Sequence, residues 1–243
     1  MIRFLKRLFL FLFFISLSIL IYKKNYLITK LDNTILIFSD YTGNVLKEVY
    51  VSGRINENKS NITKALNIKI GDSLLNINLN EIRNSLNELS WVKDSIIYIL
   101  PLGILEIEIF EYIPFGKYID KNEKYFLINN NGIKFKEIGF NEFSSLFKLR
   151  GEGALFKINE LSLIMNKLKS FNLEVIDVER IDSRRWDIYL QKGYFIKLPH
   201  LDPINSLDAL YELDNNIKYD NLIFIDLRIK NRISIKYKNI DWN

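Results

Sequence analysis

The sequence predicts an α+β chain in three parts: a single N-terminal transmembrane helix, a small β-α-α-β-β module, and a β-rich C-terminal domain with two helices. Three observations carry this reading. An apolar run fills residues 8–22 with only Ser16 and Ser18 as polar members. Strict alternation of Leu105, Ile107 and Ile109 with Glu106 and Glu108 marks a half-buried strand. Short β-type runs separated by Asn- and Gly-rich turns continue from residue 119 to the C-terminus.

Taken in order, the first residues carry Arg3, Lys6 and Arg7, and residues 1–7 form a short basic tail. The run at 8–22 spans roughly 22 Å as a helix, at ~1.5 Å per residue. A bilayer core of about 30 Å asks for about 20 residues. Phe4 and Leu5 extend the run, and Lys6 and Arg7 can reach the interface along their aliphatic stems. No small-residue cleavage site follows, so an uncleaved signal anchor is expected rather than a removable signal peptide. Lys23, Lys24 and Lys30 follow the run closely, so the charges alone leave its orientation open. Residues 23–47 form a juxtamembrane connector, helical or extended, with an apolar cluster at Ile35, Leu36, Ile37 and Phe38.

The module is expected at 48–118. Val49, Tyr50 and Val51 make a short strand ended by Gly53. Ile62, Ala65 and Leu66 mark a first helix, and Gly71-Asp72 a turn. Asn78 starts a second helix, with Glu81 at the reciprocal capping position and Leu79, Ile82, Leu86 and Leu89 on one face. Ile96, Ile97, Tyr98 and Ile99 supply a strand, which turns at 101–103 into the alternating run.

The last domain is expected at 119–243. A strand at 125–128 leads through Asn129-Asn-Asn-Gly132 into a second arm at 133–135. Residues 140–149 are ambiguous and end at Gly151 and Gly153. Residues 159–171 read as an amphipathic helix with Leu161, Ile164, Met165 and Leu168 on one face. A strand at 173–178 follows, then a hairpin of 186–190 and 194–198 around Lys192-Gly193. Asp202 caps a further helix with Pro203 at its first position, burying Leu207, Leu210 and Tyr211. Strands at 222–227 and 233–237 close the chain. In the last, Ile233, Ile235 and Tyr237 face one way and Arg232, Ser234, Lys236 and Lys238 the other, the pattern of an edge strand.

Composition and motifs argue against chemistry. The net charge of +5 is dispersed rather than gathered into a nucleic-acid stripe. The absence of cysteine removes disulfides and thiolate metal sites. His200 is the only histidine and sits in a turn, with no nucleophile elbow anywhere in the chain. Gly151-Glu-Gly153 lacks the rest of a phosphate loop. Glu106 and Glu108 are explained by alternation on a solvated sheet face, and Arg184-Arg185-Trp186 by an exposed strand end. No catalytic, cofactor or metal site is expected.

The β-α-α-β-β order is the layout of a POTRA module, a docking domain. Further segments extend the likeness: Val51-Ser-Gly-Arg54, Leu89-Ser-Trp-Val92, Leu100-Pro101, Glu111-Tyr-Ile-Pro114, Leu127-Ile-Asn-Asn-Asn-Gly132, Leu149-Arg-Gly-Glu-Gly-Ala154, Arg185-Trp-Asp187, Leu198-Pro199 and Ile225-Asp-Leu-Arg228. In this order they resemble the FtsQ/DivIB family of bacterial cell-division proteins, and its alphaproteobacterial members in particular. Tyr112 stands where relatives often have Arg, and Asn129 where they often have Asp.

The resemblance implies a non-enzymatic divisome scaffold at the division septum. It would be anchored in the inner membrane with its N-terminus cytoplasmic and its bulk periplasmic. It implies FtsB, and through it FtsL, as partners taken up by strand addition at the last strands, with the POTRA module contacting other division proteins. Arg228, Ile229, Ile233, Ile235 and Tyr237 are the partner-binding residues so implied. The alternative is another POTRA-bearing periplasmic docking or chaperone protein. Such proteins repeat the module or continue into a barrel, and only one copy occurs here.

Overall fold

The structure, a computed structural model, describes residues 44–213, 219 and 221–238, with scattered positions before residue 44. The expected anchor at 8–22 lies outside the described residues apart from Phe9, Leu10, Phe13 and Phe14, as do most of the tail and part of the connector. Among the described residues no helix is long and apolar enough to cross a membrane. The chain divides into two compact units, Met1–Glu111 and Tyr112–Asn243.

In the first unit, β1 (Glu48–Ser52) leads to α1 (Lys59–Leu66) and α2 (Leu79–Asn87), then to β2 (Val92–Leu100) and β3 (Ile104–Glu111). The strands lie in the order β1-β3-β2, with β1 parallel and β2 antiparallel to β3. A parallel pair needs a crossover, and the two helices provide it. Leu105, Ile107 and Ile109 are fully buried and form one core with Ile62 and Leu66 of α1 and Ile82 and Leu86 of α2. The alternation seen in sequence therefore becomes one face turned to the helices.

Both helices start on asparagine. Asn58 Oδ1 accepts from the Ser60 N–H at 3.0 Å. Asn78 Oδ1 accepts from Asn80 and Glu81, and the Asn78 amide donates to Glu81 Oε1 at 2.8 Å. The expected reciprocal contact thus forms, but from side chain to side chain. Gly53 ends β1 at φ +77°, where a Cβ would stand 2.1 Å from the Ile109 carbonyl oxygen, so only glycine fits.

The second unit is built on a nine-stranded sheet, ordered β12-β11-β10-β9-β8-β7-β4-β5-β6. Its strands are β4 (Gly116–Ile119), β5 (Tyr125–Ile128), β6 (Lys134–Ile138), β7 (Lys148–Arg150), β8 (Val175–Ile181), β9 (Arg185–Leu190), β10 (Phe195–Lys197), β11 (Leu222–Ile229) and β12 (Arg232–Tyr237). β4, which falls within the module boundary expected from sequence, pairs with β5 and β7, so residues 112–118 belong with this sheet. The helix α3 (Ile158–Ser170) is the crossover between parallel β7 and β8. The short α4 (Pro203–Ser206) and α5 (Ala209–Leu213) lie between parallel β10 and β11. Ile158, Leu161, Ile164 and Leu168 of α3 share one core with Leu149, Val178, Trp186, Ile188 and Ile225 of the sheet.

Three local expectations are corrected. Asp202 does not cap a helix. It sits at φ 56° without a capping bond, and its carboxylate accepts from the Asn205 side chain instead. The helix it was to open is broken at Leu207-Asp208, and Tyr211 is exposed with its ring against Phe171 at 4.5 Å. Trp186, read as part of an exposed strand end, is fully buried. Its indole N–H donates to Glu160 Oε1 at 2.7 Å, and the Arg180 guanidinium lies over the ring at 4.5 Å.

Candidate partner-binding site

The five residues singled out from sequence fall on β11 and β12, at one edge of the nine-stranded sheet. β12 pairs antiparallel with β11, Ile225 opposite Ile235 and Asp226 opposite Ser234, and among the described residues has no strand on its other side. Just past its end the Lys238 N–H donates to the Asn221 carbonyl at 2.8 Å. Backbone groups on an extended strand alternate in direction. Lys236 and Ser234 therefore turn their N–H groups towards β11 as Lys238 does. The N–H groups of Ile233, Ile235 and Tyr237 point to the open side.

The side chains divide differently. Ile233 and Ile235 pack, half-buried, on the unit's own core. Tyr237 and Ile229 are exposed. Arg228 is held against Asp226: its Nε reaches both carboxylate oxygens at 2.9 and 3.0 Å and its Nη2 reaches Oδ2 at 2.7 Å. Burial alone would raise the Asp226 carboxyl, but the bonds from the Arg228 side chain and backbone outweigh it and hold the group below the ordinary carboxylate range.

Next to this edge, the face turned away from the helices carries two transverse rows that the sequence reading did not single out. One runs Glu179, Asp187, Lys197, Asp226 and Ser234 from β8 to β12. The other runs Tyr189, Phe195, Phe224 and Lys236. Tyr189 stacks on Phe195 at 4.9 Å, and Lys197 Nζ lies 4.2 Å from the centre of the Phe224 ring. The signal was present: these residues alternate with the core residues Ile188, Ile196 and Ile225. Only the strand order across β9, β10 and β11 brings them together. Within the ionic row Asp187 is buried, and that burial pushes its carboxyl up against the opposing pull of Lys197 and Arg185.

The other chemical candidates lead elsewhere. His200 is exposed in a bend, its Nδ1 3.0 Å from the Arg184 carbonyl. Glu106 and Glu108 lie exposed on the first sheet, and among the described residues no group of three or more His, Asp or Glu could hold a metal ion. What the second unit offers is an open backbone edge with an aromatic and ionic face beside it, an arrangement suited to taking up another chain.

The comparisons with known proteins agree with this division. A model of the FtsQ-type POTRA domain matches residues 45–112, and one of the FtsQ/DivIB C-terminal region matches residues 117–228. The cell division protein FtsQ of Rickettsia bellii is 30% identical over 194 residues, 79% of this chain and 72% of the relative. FtsQ of Rickettsia felis is 28% identical over 216 residues, 88% of this chain and 78% of the relative. FtsQ of Rhizobium meliloti is 24% identical over 196 residues, 80% and 63% of the two chains. With both regions matched in order around the same boundary, the chain belongs to the FtsQ/DivIB family of cell-division proteins.

Proposed function

We propose that this chain is a non-enzymatic scaffold of the divisome, anchored in the inner membrane by the segment at 8–22, with its two folded units in the periplasm at the septum. In this reading it takes up FtsB, and through it FtsL, by strand addition to β12, and so links early and late division proteins. The first unit contacts other members of the machinery. The observation that supports the reading is the open side of β12, where the alternate N–H groups of Ile233, Ile235 and Tyr237 have no partner strand among the described residues. Main-chain bonds would supply affinity. Ile229, Tyr237 and the Asp226–Arg228 pair would supply selectivity.

The test is co-purification of the full chain with the periplasmic parts of FtsB and FtsL, beside Tyr237→Pro and Ile235→Pro. Each substitution removes an outward donor while leaving the β11 ladder in place. The wild type retains the partners and both variants lose them. A folded variant that binds undiminished rejects β12 as the site, and a folded wild type that does not bind rejects the role.

A further inference from the structure

The first sheet carries α1 and α2 on the face of Leu105, Ile107 and Ile109. Among the described residues of this unit its other face carries no further layer and is unusual in composition. Glu106 lies between Tyr50 and Tyr98 in register, and Glu108 between Ser52 and Ile96. Phe110 and Leu100 continue the same face along β3 and β2. Tyr50 is 54% exposed, Tyr98 48%, Phe110 41%, Leu100 38% and Ile96 37%. An open antiparallel face is ordinarily polar. Here aromatic and aliphatic side chains surround two carboxylates, and contiguous exposed apolar surface of this kind marks a site of interaction.

The charge selects the partner. Neither Glu106 nor Glu108 has an ion pair among the described residues, and their neighbours in register, Tyr50, Tyr98, Ser52 and Ile96, carry no charge. A third carboxylate, Glu48, accepts the Tyr50 hydroxyl at its rim. Such a face repels nucleic acid and anionic lipid headgroups. A sheet already carrying helices on one side is completed by a helix on the other. We infer that this face docks a cationic amphipathic helix of a protein partner, its apolar residues against Tyr98, Phe110 and Leu100 and its Lys or Arg side chains on Glu106 and Glu108. Docking strips water from both carboxylates, so a helix without cations is rejected. The site is independent of the β12 edge.

The test uses the full chain and two fluorescent helical peptides of one apolar pattern, with Lys at the polar positions in one and Glu in the other. The Lys peptide binds the wild type and the Glu peptide does not. Replacing both carboxylates (Glu106→Gln with Glu108→Gln) weakens the Lys peptide by roughly tenfold, the scale of a lost interfacial charge pair. Reversing both (Glu106→Lys with Glu108→Lys) exchanges the preference. A benzoyl-phenylalanine in place of Tyr98 cross-links the peptide, and one in place of Lys64 on α1 does not. Tyr237→Pro leaves all of this unchanged. Equal binding of both peptides, undiminished binding by the isosteric Gln pair, or cross-linking from position 64 alone overturns the proposal.

Discussion

Asp226 and Arg228, two residues apart on β11, close a charge-assisted fork in which the guanidinium reaches both carboxylate oxygens within 3.0 Å and the Arg228 N–H adds a bond to Oδ1. Alternation puts both on the open face while Leu227 between them is buried. The Asp226 carboxyl titrates below its unfolded value, because the Arg228 bonds outweigh the opposing effect of burial. A lowered folded value means stability that is present above the unfolded carboxylate pKa of about 3.9 and lost as pH falls through the folded one. Asp226→Asn therefore lowers the urea midpoint at neutral pH, and the deficit closes on acidification below about pH 4. Midpoints of both proteins from pH 7 down to pH 2 check it.

Asp187 behaves in the opposite sense. It lies buried between Glu179 and Lys197 in register, and Oδ1 has no hydrogen-bond partner among the described residues. Burial raises its folded pKa above the unfolded value, so its ionisation costs stability as pH rises through that interval. Asp187→Asn raises the neutral-pH melting temperature of the second unit, and the gain vanishes in acid. A melting series on the two proteins, scanned across pH 3 to 7, measures the sign.

Glu111 ties the end of β3 to the loop that follows β1. Its carboxylate accepts from the backbone N–H groups of Ile55, Asn56 and Glu57 at 2.8–3.0 Å. This gives the Glu-x-x-Pro segment at 111–114 a physical reason: the carboxylate satisfies amides that open the path into α1. Glu111→Ala removes these charge-assisted bonds and destabilises the first unit by about 2 kcal/mol. Amide exchange at residues 55–57 speeds up, while the amides of β8 to β11 keep their protection.

Trp186 holds the second core together with Arg180 directly opposite it on β8 and Glu160 on α3. Trp186→Phe keeps much of the packing but leaves Glu160 without the indole donor, at a cost of about 1–3 kcal/mol. Trp186→Ala adds a cavity and costs about 3–5 kcal/mol. Chemical denaturation of the two variants separates the bond from the volume, and a Trp186→Phe loss close to zero would show that the bond to Glu160 adds little.

Much of this architecture was legible because each segment declares its own period. The alternation at 104–110 and the helical stripe of Ile82 and Leu86 translate directly into buried faces. The turn at Asn129 also carried over: its Oδ1 accepts from the Asn131 and Ile133 N–H groups and closes the turn, as an Asp carboxylate would. What could not be read was lateral order. The sheet places β7 beside β4 and β11 beside β10 through parallel crossovers, so local alternation assigns Asp187, Lys197 and Asp226 each to a face but carries no trace of their meeting in one row. Trp186 was misplaced for a related reason, since two preceding arginines suggest exposure while the burial is decided by α3 across the core. Asp202 fails as a cap because the backbone adopts the left-handed region there, and its carboxylate bonds the Asn205 side chain rather than a first-turn N–H.

The claim that a partner adds a strand to β12 is tested most directly by amide hydrogen exchange of the full chain with and without the FtsB–FtsL periplasmic parts. Ser234 and Lys236, already turned to β11, change little on binding. Ile233, Ile235 and Tyr237, turned to the open edge, slow markedly and as a set. If the complex forms and these three amides exchange as before, the partner does not pair with β12.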